Sequence, residues 1–391
     1  MIYTDPESAR TINRLRILNL IHQNREISRA ELSRQLKLNK VTVSAIVAGL
    51  LEENLAVELG KSGGAPGRNA MALGINSGAR LLLVFDVGLW KTRYGACDLS
   101  GRMICQEEVF TPEDHRLEVF LDSLGAYAGR IRENLPADTV FLGAALAVSG
   151  LVDSAAGVVK HSPNWEWRNV DLRERLSRRL GLPVVMDNNV RAMLLGERWF
   201  GEVGSGGTVF YINWAQGIGS ALMVENRILP VDSEFGHLQV SEEGACSCGK
   251  AGCVEVHASG RALRERGNRL LGTTDLSAEE LSGRAGTDPR VAELFRFAAV
   301  CIGRGASAVA NILSPRLIIL GGGLAPRDGE TLRLLREEFD RQTMVLIREK
   351  TGIAVSRLGD SAGLLGAAAL GLDHFFYKRS SLATLKTAGF P

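Results

Sequence analysis

Residues 236–260 read GHLQVSEEGACSCGKAGCVEVHASG. Three of the chain's six cysteines fall within eight residues of one another, and a histidine lies nine residues before the first. His237, Cys246, Cys248 and Cys253 supply three sulfurs and one imidazole, a complete tetrahedral set for Zn²⁺. Gly249 and Gly252 allow the chain to fold tightly around an ion, and Gly244 allows it to enter the turn. Three inert buried thiols are the bland alternative, but clustered reduced thiols without a metal are prone to oxidation. A redox pair fits less well, because Cys-x-Cys lacks the Cys-x-x-Cys spacing. Four protein ligands leave no open coordination position, so the expected zinc is structural.

Outward from this stretch, apolar runs end in glycines. LLLVFDVG (81–88) reads as a buried strand, YGACDLSGR (94–102) as a strand and turn, and VFLGAALAVSGLVD (140–153) as a strand entering a glycine turn. PVVMDNN (183–189) is a strand with a polar end, followed by the helix VRAMLLGERWFG (190–201). TVFYINWAQGIGSALMVENRIL (208–229) reads as a hairpin with Gly217 and Gly219 near its bend, and RLIILGGGLA (316–325) as a late strand with three glycines at its end. Strands alternating with helices, with glycines just past strand ends, describe an α/β protein with a cleft.

The first 76 residues follow a different pattern: three helices, then a hairpin. A first helix is expected from about Thr11 to His22, with Leu15, Leu18 and Ile21 turned inward. Ser28 followed by Glu31 is a capping box that starts a second helix ending near Leu36. Asn39 caps a third. In that helix Val43, Ile46, Val47 and Leu50 form one buried stripe. Lys40, Thr42, Ser44 and Ala45 are left facing outward near its N-terminus, the end of a helix-turn-helix that reads base edges. AVELG and RNAMALGI then form two strands around the glycine-rich KSGGAPGR, a wing whose Lys61 and Arg68 can reach phosphate. Ser28, Lys40, Thr42, Ser44, Ala45, Lys61 and Arg68 are the candidate DNA contacts. A boundary is expected near residues 74–80.

Composition adds limits. The net charge of +2 is uninformative, but residues 1–76 carry ten Lys/Arg against seven Asp/Glu, a weak electrostatic hint toward nucleic acid. No apolar run approaches the ~18 residues of a membrane span. The first residues, MIYTDPESARTINR, lack the apolar core of a signal peptide. A cytoplasmic location without membrane attachment is expected.

Taken together, the motifs resemble the ROK family, named for repressors, open reading frames and kinases. The resemblance runs from about residue 80 to 373 and includes the family's CxCGxxGCxE knuckle, matched by Cys246–Glu255. With the winged helix in front, the chain resembles the branch of xylose- and N-acetylglucosamine-responsive regulators. The fold this implies is an N-terminal winged helix-turn-helix (α+β, residues 1–76), then a two-lobed α/β domain of the actin/hexokinase, or ribonuclease H-like, type (80–373). A C-terminal tail (374–391) completes the chain. The resemblance also implies a sugar site between the lobes, formed by Asn164, Asn188, Asn189, Glu234, His237 and Glu255, with Ser149 and Gly150 lining it. Trp165 and Trp167 could stack on a sugar, or pack in the core.

In the family's kinases the stretch after the strand reads roughly E-N-D-A-N. Here it is Asp187-Asn188-Asn189-Val190-Arg191, so the base position holds Asn189, which cannot take a proton at neutral pH. The kinase-like D-x-G-G-T loop is Asp86-Val87-Gly88-Leu89-Trp90. No catalytic residue is therefore expected. The reading is a sugar-responsive repressor, binding a double-stranded operator as a homodimer or homotetramer, with a monosaccharide or derivative as effector. The rival is an ATP-dependent sugar kinase with an appended DNA module and Asp187 as base. A third reading is a regulator controlled by a docked protein.

Overall fold

The computed structural model describes residues 6–61, 71–201, 203–326 and 329–378. The chain divides into two compact units, one formed by residues 1–187 and 367–391, the other by residues 188–366.

The first unit begins with helix α1 (Pro6–Asn24), strand β1 (Ile27–Ser28), helices α2 (Arg29–Leu36) and α3 (Lys40–Glu52), and strands β2 (Ala56–Lys61) and β3 (Met71–Ile75). α1 is longer than its apolar spacing suggests, and it opens on Pro6, whose missing N–H is harmless at a first helical position. Ile17, Leu18 and Ile21 are buried, whereas Leu15 is only half-buried. The Ser28 cap accepts from the Glu31 amide, but the reciprocal half of the expected box is replaced: the Glu31 carboxylate pairs with Arg34 at 2.7 Å. Asn39 Oδ1 accepts from the Thr42 amide at 2.7 Å and so starts α3. Val43, Ile46, Val47 and Leu50 are buried, as their spacing requires. β1, β3 and β2 form one small antiparallel sheet.

The rest of this unit is built on a five-stranded sheet and also holds a three-stranded antiparallel sheet of Leu151–Asp153, Val158–Ser162 and Trp167–Val170. The strands of the larger sheet, in chain order, are Leu81–Val87, Lys91–Asp98, Met103–Phe110, Phe141–Val148 and Val184–Asn188. In space they lie 3-2-1-4-5. The first strand is buried along its whole length, as its apolar run Leu81–Phe85 predicts, and the burial takes in Asp86. It pairs antiparallel with the second and parallel with the fourth. Helices Leu117–Glu133 and Leu172–Leu180 cover the sheet with Phe120, Leu121, Leu124, Leu172 and Leu176.

The second unit repeats this order. Thr208–Trp214, Ile218–Val224, Arg227–Ile228, Leu317–Gly321 and Gly352–Val355 also lie 3-2-1-4-5. Here too the first strand runs antiparallel to the second and parallel to the fourth. Its core is organised by the 25-residue helix Pro289–Leu313, which buries Phe295, Ala299, Ile302 and Ala306. Two sheets of one topology in one chain are the duplicated α/β architecture of the actin/hexokinase type.

Candidate functional site

The knuckle belongs to the second unit. The ligand atoms of His237, Cys246, Cys248 and Cys253 all lie within 4.8 Å of one another. Cys246 Sγ is 3.5 Å from His237 Nδ1, and Cys248 Sγ is 3.6 Å from Cys253 Sγ. A Zn²⁺ tetrahedron with Zn–S bonds of about 2.3 Å separates its sulfurs by roughly 3.8 Å, so these donors fit one ion. The thiols alone make an uneasy cluster. Burial and the adjacent thiols push Cys253 up to about 12, while the Lys250 N–H holds Cys248 below the usual thiol range. A bound cation would relieve this crowding of sulfurs.

Backbone bonds shape the loop. Gly252 N donates to Gly244 O, Cys246 N to Lys250 O, and Gly249 N to Cys246 O. Gly252 has a φ of +70°, and a Cβ there would lie 1.8 Å from Ser241 O. Only glycine fits both constraints. Neighbours the sequence did not announce complete the brace. His257, only 4% exposed, lies 2.7 Å from Ser241 Oγ and 3.0 Å from Glu243 O. Arg304 donates to Val240 O and also pairs with Glu338, and Lys250 donates to His237 O at 2.8 Å. One signal for His257 was available: a polar residue within the short apolar helix Val254–Ala258.

The knuckle carries the polar groups expected to meet a sugar. His237 turns Nδ1 to the thiols, and its Nε2 lies 3.9 Å from Glu234 Oε2. Glu234 is exposed. Glu255 lies two residues after Cys253, and its Oε2 accepts from Ile218 N at 2.9 Å. Burial raises the Glu255 pKa, and the Ile218 amide works against that shift. Gly236 lets the chain pass close: a Cβ there would be 2.6 Å from Ile218 O and 3.0 Å from Glu255 Oε2. Glu234, His237 and Glu255 are thus brought together. Asn188 Oδ1 accepts from Val190 N and Arg191 N, which makes it the cap of helix Asn189–Phe200, with Asn189 as the first helical residue.

In the first unit, Ser149 Oγ accepts from Trp165 Nε1 at 3.2 Å, and Ser149 O accepts from Ser162 Oγ. Gly150 has a φ of +116°, and a Cβ there would meet His161 O at 2.7 Å. Asn164 is exposed on the short 3₁₀ turn Pro163–Trp165. Trp165 and Trp167 are 1% and 5% exposed and stack at 5.2 Å within the core. The stacking-platform alternative is thereby corrected: packing under Phe120 and the sheet removes both rings from solvent. The Asp187 carboxylate accepts from Ser154 Oγ at 2.5 Å. In the Asp86–Trp90 loop, Gly88 N donates to Lys91 O, and Gly88 O accepts from Thr111 Oγ1.

On α3, Lys40, Ser44 and Ala45 are exposed and Thr42 is half-buried. Val41 is 79% exposed, although a β-branched side chain gives no sequence signal for an outward position. Ser28 is half-buried, its Oγ engaged by the α2 cap. Lys61 ends β2, and Arg68 lies outside the described residues. Among the described residues no helix is long and apolar enough to cross a membrane.

Comparisons with known proteins agree with this architecture. Residues 83–374 match the ROK family. The xylose repressor of Caldicellulosiruptor bescii is 27% identical over 92% of this chain and 95% of its own length. The glucokinase of Streptomyces coelicolor is 30% identical over 74% of this chain and 97% of its own. The crystal structure of a ROK family transcriptional regulator, a homologue of the E. coli MLC protein, superposes with a TM-score of 0.82 at 22% identity, covering 98% of this chain and all of that one. With two sheets of 3-2-1-4-5 order, a Cys₃His knuckle and a family match spanning most of its length, the chain belongs to the ROK family.

Proposed function

We propose that this protein is a sugar-responsive, DNA-binding transcriptional regulator, acting as a repressor through a non-catalytic sugar-sensing domain. The observation that carries the reading is α3: a complete buried stripe on one side, and exposed Lys40, Val41, Ser44 and Ala45 at its N-terminal end on the other. That face matches what a recognition helix presents to the major groove, with a cation for phosphate and an apolar contact for a thymine methyl. The relatives support it. The xylose repressors align over more than nine-tenths of this chain, whereas the glucokinase leaves about a quarter of it without a counterpart.

Glu234, His237 and Glu255 are the effector-binding groups in this reading. Two carboxylates and an imidazole accept and donate in pairs to sugar hydroxyls. Ser149, Gly150, Asn164, Asn188 and Asn189 are further candidates. Zinc, when bound by His237, Cys246, Cys248 and Cys253, supplies a fixed cross-link with no open reactive position. The chain's own residues do the rest: His237 presents Nε2 on the Glu234 side, and the Ile218 amide holds Glu255 in place. Effector binding favours one arrangement of a homodimer and so resets operator affinity.

A kinase reading is favoured by the glucokinase relative. Three features weigh against it. Asn189 is an amide where a base is required. Asp187 already accepts from Ser154. The Gly88 N–H is spent within its own turn. The decisive experiment combines gel retardation on duplexes selected from a randomised pool with thermal-shift screening of monosaccharides and their phosphates. A sugar that shifts the melt and changes retardation is the expected result. Steady ADP release with ATP and any of those sugars would overturn the non-catalytic part, and absence of duplex binding would overturn the regulator.

A further inference from the structure

Tyr377 is fully buried at the end of a π-helical turn, Leu372–Tyr377. It makes three polar contacts with distant parts of the first unit. Its hydroxyl donates to Leu99 O at 2.9 Å and lies 2.8 Å from His22 Nδ1. Its carbonyl accepts from Asn19 Nδ2 at 2.8 Å. The His22 and Tyr377 rings meet at 4.5 Å. Leu99 in turn donates its own N–H to Ser77 O, in the segment joining the winged helix to the sheet. One tyrosine therefore ties the turn after the second strand of the five-stranded sheet to α1.

α1 is itself bound to the reading helix. Arg14 donates twice to the Glu53 carboxylate, both at 2.7 Å, and Glu53 is the C-cap of α3. Arg16 donates to Leu36 O at the end of α2. Ile17, Leu18 and Ile21 fill the core of the module. α1, α2 and α3 thus form one body, and that body is held where Tyr377 grips Asn19 and His22. Asn19 is 7% exposed, and its buried amide donates both to Leu15 O within α1 and to Tyr377 O, each at 2.8 Å. π turns are uncommon, and where they occur they re-aim side chains at functional places. Helix Ala362–Gly371, which leads into this turn, starts in the second unit and ends in the first.

Resting on the regulator reading above, we propose that Tyr377 is a positioning residue for DNA recognition. It clasps the winged-helix module through Asn19 and His22 and so fixes the direction in which α3 is presented. In a dimer this direction sets the distance between two reading helices, so the clasp governs binding to paired half-sites and leaves each half-site contact unchanged.

The test uses the full-length zinc-loaded chain and Tyr377→Phe, which keeps the ring and removes the hydroxyl. Hydrogen–deuterium exchange is followed in residues 14–24 and 95–101, with residues 254–271 as the internal reference. Loss of one such hydrogen bond corresponds to about a fivefold change in an equilibrium. Exchange in the first two segments is expected to rise about fivefold, with the reference unchanged. On duplexes selected with the wild-type chain, affinity for the best paired site is expected to fall about fivefold. Single half-site affinity stays constant, and the preference for one spacing flattens. His22→Phe, which keeps a ring against Tyr377 without Nδ1, should reproduce the direction of both effects if Tyr377→Phe folds poorly. Unchanged exchange in residues 14–24 in both variants overturns the proposal, and so does equal weakening on single and paired sites. A wild-type chain that binds no duplex defeats the regulator reading and with it the DNA-positioning role, while exchange still reports whether the clasp exists.

Discussion

Asp86 shows how one residue's environment sets a measurable property. It lies in the fully buried first strand and is 6% exposed, with Arg93 Nη1 3.8 Å from its carboxylate. Burial pushes its pKa up to about 6, against the pull of Arg93. Between about pH 4 and pH 6 the native chain keeps a proton that the unfolded chain has released, so this group lowers stability as the pH rises through that window. Two pKa units correspond to about 3 kcal/mol as an upper figure. Asp86→Asn should therefore raise the melting temperature at pH 7.5 by the equivalent of about 1–3 kcal/mol and change nothing near pH 4. Thermal melts at the two pH values check both halves. Gly252 makes a steric counterpart. Its positive φ and the 1.8 Å approach to Ser241 O leave no room for a methyl group. Gly252→Ala should cost about 2–4 kcal/mol and release the metal, seen as a lower melting temperature together with sub-stoichiometric zinc by elemental analysis.

At the scale of elements, α3 combines two signals that a sequence states openly. The Asn39 cap fixes where the helix starts, and the four buried residues fix which side faces in. The remaining side follows by elimination: Lys40, Ser44 and Ala45 are exposed there, and so is Val41, whose apolar side chain by itself suggests the opposite. A phosphate contact should act uniformly across DNA sequences. Lys40→Ala is expected to weaken binding to all duplexes alike and to reduce the slope of log affinity against log salt by about 1. A titration of binding against ionic strength measures that slope, and an effect confined to one duplex sequence would contradict the phosphate assignment. The knuckle is the second legible element, because its four side chains are close in sequence and a metal-binding pattern is demanding in spacing. Its outer brace was less legible: His257 is marked only as a polar residue in the helix Val254–Ala258, Ser241 lies in the loop with no spacing signature, and Arg304 comes from a distant helix.

At the scale of the molecule, zinc is expected to act as a cross-link for the second unit. Removing it with a strong chelator at neutral pH should lower the melting temperature by several degrees and abolish any sugar-induced shift, and re-addition of Zn²⁺ should restore both. Differential scanning calorimetry of the stripped and reloaded chain measures this, and a stripped chain with an unaltered melt would show that the metal is dispensable.

By itself the sequence determined whatever rests on neighbours within a few turns of chain. These are the cap and stripe of α3, the apolar run Leu81–Phe85, and the gathering of His237, Cys246, Cys248 and Cys253. Periodicity, capping chemistry and ligand spacing are local, so they can be read along the chain. The tertiary structure alone decided that both sheets share the order 3-2-1-4-5 and that Trp165 and Trp167 lie inside. It also decided that Asp86 is buried and that Tyr377 meets Asn19 and His22 across some 350 residues. Strand order and long-range contacts depend on which faces bury each other, and no single stretch of sequence carries that information.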